Sequence, residues 1–326
     1  MISVIISVYN CENYIAETLN SLMSQTYKDF EIIIADYGST DDTLKIAQSY
    51  QDNVSTGINV TLITMNDVKK SAAKNNGLSV ATGQYIIFFD AGDVLSNNYL
   101  EWMIKEIEDF DADIAMGIAL QEVKECGAYD ISGNIHEMKK FACLADIAPG
   151  TKLYRSEIIY SNKISFDDSE MCDISFFLKY LYFSHCGCVS NHAKLICRLT
   201  SDIKEPVSNR DLGIIDAFNY IDLFCKSVTE PHKKEFNFIL QNYKIKQYSR
   251  MAFRYTNPSA YSRTLRKRLF TRFHKEIVKT GKEYYKYLNK DMQHEVKIAK
   301  KRYLLSFIYL NKLYIWIFRI RSRLSY

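Results

Sequence analysis

Three short polar clusters carry most of the side chains in this sequence that can do chemistry. Tyr9 and Asn10 follow the apolar run Ser3–Val8, Asp36-Tyr37-Gly38-Ser39-Thr40-Asp41 follows Glu31–Ala35, and Asp90-Ala91-Gly92-Asp93 follows Tyr85–Phe89. Carboxylates placed this way can accept hydrogen bonds from a base or a ribose, or hold a divalent cation against a diphosphate. The same residue types also make good turns and helix caps, and for any one cluster that plainer role is the default. Three clusters meeting at one place would be much harder to explain as turns alone.

Whether they meet depends on the elements that carry them. Ser3–Val8, Glu31–Ala35, Val60–Met65 and Tyr85–Phe89 are apolar nearly throughout, as suits strands of a parallel sheet buried on both faces. Helical patterns lie between or after them at about 14–24, 42–50, 69–81 and 97–108. Strand–helix alternation with short connections predicts an α/β fold with a doubly wound, mostly parallel sheet. In such a sheet ligands bind beyond the carboxyl ends of the strands, which is where all three clusters fall. Further on, Ile114–Leu120 reads as another strand, and Phe176–Phe183 as either a helix or a buried run. After about Arg210 the pattern is helical. A shift in composition near Pro206 divides the chain into an α/β domain at 1–205 and a helical domain at 206–326.

Composition narrows the class. With 326 residues, 47% hydrophobic and 25% charged, this is an ordinary globular chain with room for about two domains. No run reaches the ~18 apolar residues of a membrane-spanning helix. No basic, apolar leader opens the sequence, and eight cysteines are too sparse for a disulfide scaffold, so a cytoplasmic location is expected. The charge is sharply segregated. Residues 231–326 hold 14 Lys and 10 Arg against 4 Glu and 1 Asp, a net +19, and residues 1–230 carry a net −15. The basic third needs a role of its own.

Six segments, in order and in spacing, resemble family-2 glycosyltransferases: Ile5–Asn10, Ser21–Tyr27, Phe30–Asp41, Ala73–Leu78, Ala81–Tyr85 and Phe89–Asp93. A weaker likeness continues through Gly150–Arg155, Ile164–Phe166 and Cys172–Phe177 and stops near residue 200. The resemblance implies a GT-A fold that transfers a sugar from a nucleotide donor with inversion at the anomeric carbon. It implies that Ser7, Tyr9, Asp36, Lys74 and Asp90 bind the nucleotide. It places Asp90 and Asp93 at the family's metal-binding Asp-x-Asp motif, with Mg²⁺ or Mn²⁺ as cofactor. Asp173 corresponds to the base that deprotonates the acceptor hydroxyl, and Arg198 to an arginine on the acceptor or diphosphate side; a surface ion pair serves Arg198 equally well. The chemistry agrees, because a divalent ion can neutralise a departing nucleoside diphosphate while a carboxylate takes the acceptor's proton.

This sequence departs from the family pattern at three places. Tyr37 replaces the second Asp of Asp-Asp-Gly-Ser, which suggests ring stacking in place of one nucleotide contact. Gly92 stands where the second Asp of Asp-x-Asp falls, and Cys172 replaces the Glu before the base. A non-catalytic sugar-nucleotide-binding or scaffold subunit of a glycan assembly complex is therefore the alternative to an active enzyme. Cys172, His185, Cys186, Cys188, His192 and Cys197 lie close in sequence but lack zinc-site spacing, and the default for them is structural.

In the basic third, Tyr303–Phe318 is almost wholly aliphatic and aromatic. At helical periodicity Lys301, Lys312, Arg319 and Arg323 share one stripe. Such a helix can lie in a membrane interface, with Arg263, Arg266, Lys267, Arg268 and Arg272 adding attraction to anionic lipid. The expected partners are a nucleotide-sugar donor (a UDP-sugar the leading candidate), a glycan or lipid-linked acceptor of surface polysaccharide or glycolipid synthesis, and the inner face of the cell membrane. The stripe can instead pack as core or as a homo-oligomer interface. The basic third can also dock on the acidic domain. No motif accompanies the cations that would point to nucleic acid.

Overall fold

The computed structural model describes residues 1–52, 57–66, 68–120, 149–196, 207–228, 233–254 and 263–284, together with Leu288, Lys290, Gln293, Val296 and Lys297. The chain divides into two compact units, Met1–Glu205 with Gly213–Ser227, and Pro206–Leu212 with Val228–Tyr326.

The first unit is built on one mixed sheet. Strands β1 (Ile2–Val8), β2 (Phe30–Asp36), β3 (Asn59–Thr64) and β4 (Tyr85–Asp90) alternate with helices α1 (Ile15–Met23), α2 (Thr43–Gln51) and α3 (Lys70–Val80). Then follow β5 (Val94–Leu95), α4 (Tyr99–Asp109), β6 (Ile114–Leu120), β7 (Lys152–Arg155), α5 (Ser156–Ser161), α6 (Cys172–Phe183) and β8 (Gly187–Ile196). The strand order is β3-β2-β1-β4-β7-β6-β8-β5. The first four strands are mutually parallel, β7 runs antiparallel to β4 and β6, and β6 and β8 pair in parallel.

Alternating side chains give the sheet two differently filled faces. Val4, Ile6, Val8, Ile32, Ile34, Ile87 and Phe89 share a largely aliphatic core with α1 and α4. On the other face, Ile5 and Phe88 stand in register and look toward α3 and α6. There Phe88, Phe166 and Phe176 pack with centroids 4.2 to 5.3 Å apart. Helix α3 reaches this face closely because Gly77 has no side chain: a Cβ there would lie 2.6 Å from Ile5 Cγ2. Strand β3, read from sequence as buried on both faces, is instead a partly exposed edge strand, because among the described residues only β2 pairs with it.

Helix α7 (Val207–Ser227) belongs to the first unit from Gly213 on, and there Phe224 meets Tyr182 edge-on at 5.4 Å. In the second unit α8 (Lys233–Arg254) and α9 (Arg263–Tyr284) pack through Tyr248 and Phe273. Among the described residues no helix is long and apolar enough to cross a membrane. Arg198, Cys197 and the stripe of Tyr303–Phe318 with Lys301, Arg319 and Arg323 lie outside the described residues.

Candidate functional site

The carboxyl ends of β1, β2 and β4 are adjacent in the sheet, so the three polar clusters do share one edge. Two of them first serve the loops they sit in. Asn10 adopts a left-handed backbone (φ 45°), accepts a hydrogen bond from the Thr40 amide at 2.8 Å, and donates its own amide to Ser39 Oγ at 3.0 Å. Asp36 is buried, and its Oδ2 accepts the amides of Gly38 (3.0 Å) and Ser39 (3.1 Å), as Asp commonly does in a turn. Above this loop Tyr9, half exposed, stacks on Tyr37 with centroids 5.1 Å apart and planes 15° off parallel.

A denser cluster lies on the α3 face. Ser7 is in register with Asp90, so both side chains leave the sheet on the side that α3 covers. Asp36 is in register with Val8 and leaves on the other side. Lys70 and Lys74 sit one turn apart in α3 and therefore present their ammoniums to the same place. Lys70 Nζ is 2.6 Å from Asp90 Oδ1, and Lys74 Nζ is 3.8 Å from the same oxygen. Lys74 is fully buried and pairs at 2.5 Å with Asp173 Oδ1, from the first turn of α6. Beneath its ammonium lie the rings of Phe166 at 5.4 Å and Phe88 at 6.0 Å. A buried ammonium is tolerable only when compensated in this way, by a carboxylate and by aromatic faces.

Asp93 closes the turn that begins at Asp90, its amide donating to Asp90 O at 3.1 Å. Gly92 within that turn has φ 102°, and its amide donates to Thr18 Oγ1 of α1 at 2.8 Å. Glycine at this place is thus a requirement of the turn, and an aspartate there would be strained. Asp93 is buried, and that burial, with the nearby charge of Asp90, pushes its carboxyl up to about 7. Among the described residues no group of three or more His, Cys, Asp and Glu could enclose a metal. Two hard carboxylates still fit Mg²⁺ or Mn²⁺, which commonly take one or two protein carboxylates and complete their shell with water and substrate phosphates.

Of the residues singled out in the sequence, the structure gathers Ser7, Lys74, Asp90 and Asp173 within one cluster, with Asp93 behind Asp90. Tyr9 and Asp36 line the same edge on a neighbouring loop. Cys172 is buried, its thiol pushed up to about 12 chiefly by burial, and it adds no carboxylate. The cysteines and histidines do not form a metal cluster among the described residues; His192 stacks on Trp102, and Cys188 is buried against Ile114 O. Lys70 and Asn75 were not anticipated. Lys70 was legible as the position four before Lys74 in an expected helix. Asn75 exchanges two hydrogen bonds with the backbone of Phe166 (3.0 and 2.9 Å), which no local pattern shows.

The family described as Glycosyl transferase family 2 matches residues 3–167. Among curated proteins, glycosyltransferase GlyG of Streptococcus pneumoniae is 31% identical over 192 residues, 52% of this chain and 62% of GlyG. Escherichia coli WfaP, a UDP-Glc:α-D-GlcNAc-diphosphoundecaprenol β-1,3-glucosyltransferase, is 43% identical over 94 residues, 28% of this chain and 36% of WfaP. The chain thus spans less than two thirds of these relatives' length. Among solved structures, Staphylococcus aureus TarS in complex with UDP shares the fold, with a TM-score of 0.65 over 97% of this chain and 91% of that one, at 17% identity.

Proposed function

The chain belongs to glycosyl transferase family 2, and on that premise we propose that it moves a sugar, with inversion, from a nucleoside-diphosphate sugar to a hydroxyl of a glycan or lipid-linked glycan in surface polysaccharide or glycolipid synthesis. The observation that carries this reading is the Lys70–Asp90–Lys74–Asp173 cluster at the carboxyl edge of the sheet. Asp173 is the acceptor-side base. Its Oδ1 is held by Lys74 and its side chain is 21% exposed, so the carboxylate is fixed in direction yet within reach of a hydroxyl. As the acceptor oxygen attacks the anomeric carbon, its proton passes to this carboxylate. The ammonium of Lys70 faces the charge that grows on the leaving diphosphate, and the buried ammonium of Lys74 supports it from behind, near Asp90. Ser7, its Oγ buried with no hydrogen-bond partner among the described residues, offers a further donor or acceptor at the floor of the site. A Mg²⁺ or Mn²⁺ ion on Asp90 and Asp93 would supply additional neutralisation of the diphosphate.

UDP is the favoured nucleotide, supported by the UDP complex of TarS and by the UDP-glucose named for WfaP. The WfaP name likewise supports a diphosphoprenol-linked acceptor, which would bring the enzyme to a membrane surface. Thermal shift with UDP, GDP, CMP and their sugar conjugates, each with and without Mn²⁺, tests the donor assignment. A ligand at ~100 times its dissociation constant should stabilise the protein by about 2.7 kcal/mol. A shift with UDP or a UDP-sugar is expected; no shift with any of them would overturn the donor reading. Binding without transfer to any acceptor would mark a sugar-nucleotide-binding subunit instead.

A further inference from the structure

We propose that Lys70 is a built-in cation that competes with the divalent metal for Asp90 and gives the donor diphosphate a hold of its own when no metal is bound. The inference rests on the nucleotide-sugar reading above and adds to it a residue that the family motifs do not mark.

Three observations lead there. First, the ammonium of Lys70 is 2.6 Å from Asp90 Oδ1, closer than that of Lys74 at 3.8 Å, and this oxygen is shut off from solvent. Asp90 is also the carboxylate that a metal would need most, since Gly92 offers no side chain and Asp93 lies deeper. One carboxylate cannot give the same oxygen fully to an ammonium and to a hard divalent ion, so the two cations oppose each other there. Second, Lys70 is the first residue of α3, where the positive end of the helix dipole disfavours a cation. Its place is explained by an anion in front of it, which is Asp90 in the free protein. Third, Lys70 and Lys74 differ in exposure. Lys74 is sealed between Asp173 and two rings, whereas the Lys70 side chain is 31% exposed and extends on a flexible stem. A lysine of that kind can exchange Asp90 for a phosphate oxygen arriving beside it. With no metal bound, Lys70 screens Asp90 from the incoming phosphates and turns to hold them itself; when a metal takes Asp90, the ion would supply that hold in its place.

The test uses the full chain as wild type, Lys70→Met and Lys70→Arg, with circular dichroism to verify folding. Calorimetry measures Mn²⁺ affinity without nucleotide, and the affinity for UDP and GDP in EDTA and at saturating Mn²⁺. Lys70→Met should bind Mn²⁺ at least about three-fold tighter, and the preferred nucleotide in EDTA about ten-fold or more weakly, as expected for loss of one charge-assisted hydrogen bond. Lys70→Arg should stay near wild type in EDTA. Folded Lys70→Met with Mn²⁺ and EDTA affinities both unchanged would overturn the role of Lys70 and leave the donor reading intact. A wild-type protein that binds neither nucleotide, with or without Mn²⁺, would overturn both.

Discussion

Lys74 sits wholly out of water with its ammonium on Asp173, so removing it deprives that partly buried carboxylate of its ion pair and leaves a gap in the packing. Lys74→Met should therefore cost stability, about 3 kcal/mol in urea unfolding, as well as activity. A variant that melts like wild type would mean that Asp173 finds other compensation. Asp93 behaves differently. Its carboxyl is raised from the ordinary 3.8 to about 7 by burial first and by Asp90 second, with Lys70 and Lys74 opposing. Between about pH 4 and pH 7 the folded, metal-free protein keeps a proton that the unfolded chain has released, so stability falls as pH rises through that window. Asp93→Asn should flatten this decline in a pH series of melts, and an unchanged slope would contradict the assignment. Gly92→Asp would restore the usual motif at a backbone φ of 102° and should lower stability by about 1 kcal/mol or more, visible as a drop in melting temperature.

At the scale of elements, α3 is positioned by Gly77 on one side and by the Asn75–Phe166 exchange on the other. Asn75→Ala removes both hydrogen bonds and should destabilise the protein by about 2 kcal/mol, with amide exchange rising first around residues 164–168. The buried strands β1, β2 and β4 and the helices beside them were legible because parallel strands covered on both faces read as unbroken apolar runs. Strand β7 is four residues long and carries little pattern of its own. In β8 the residues from His192 to Ile196 alternate exposed and buried, a short signal that the polar Asn191, His192 and Lys194 leave without an unbroken apolar run. The pairing of β6 with β8 is long-range and could not be read locally. Within the site, Lys74, Asp90 and Asp173 were legible through the family resemblance. That Asp36 leaves the sheet on the opposite face, and that Lys70 meets Asp90, depend on register and helix phase, which only the fold supplies.

Over the whole molecule the division of charge, net −15 up to residue 230 and +19 after it, invites an anionic partner for the basic third. If that partner is the membrane surface that holds a lipid-linked acceptor, the full chain should float with anionic vesicles at low salt and be released as ionic strength rises. Failure to float would favour docking against acidic protein surface instead. The central claim, that the cluster at the sheet edge is a working transferase centre with Asp173 as its base, is tested most directly by turnover of wild type and Asp173→Asn on the nucleotide-sugar that binds. Nucleotide affinity is measured alongside in both. Loss of a general base predicts a fall in turnover of about 100- to 10,000-fold while nucleotide affinity stays within a few-fold. Turnover in Asp173→Asn equal to wild type would contradict that assignment.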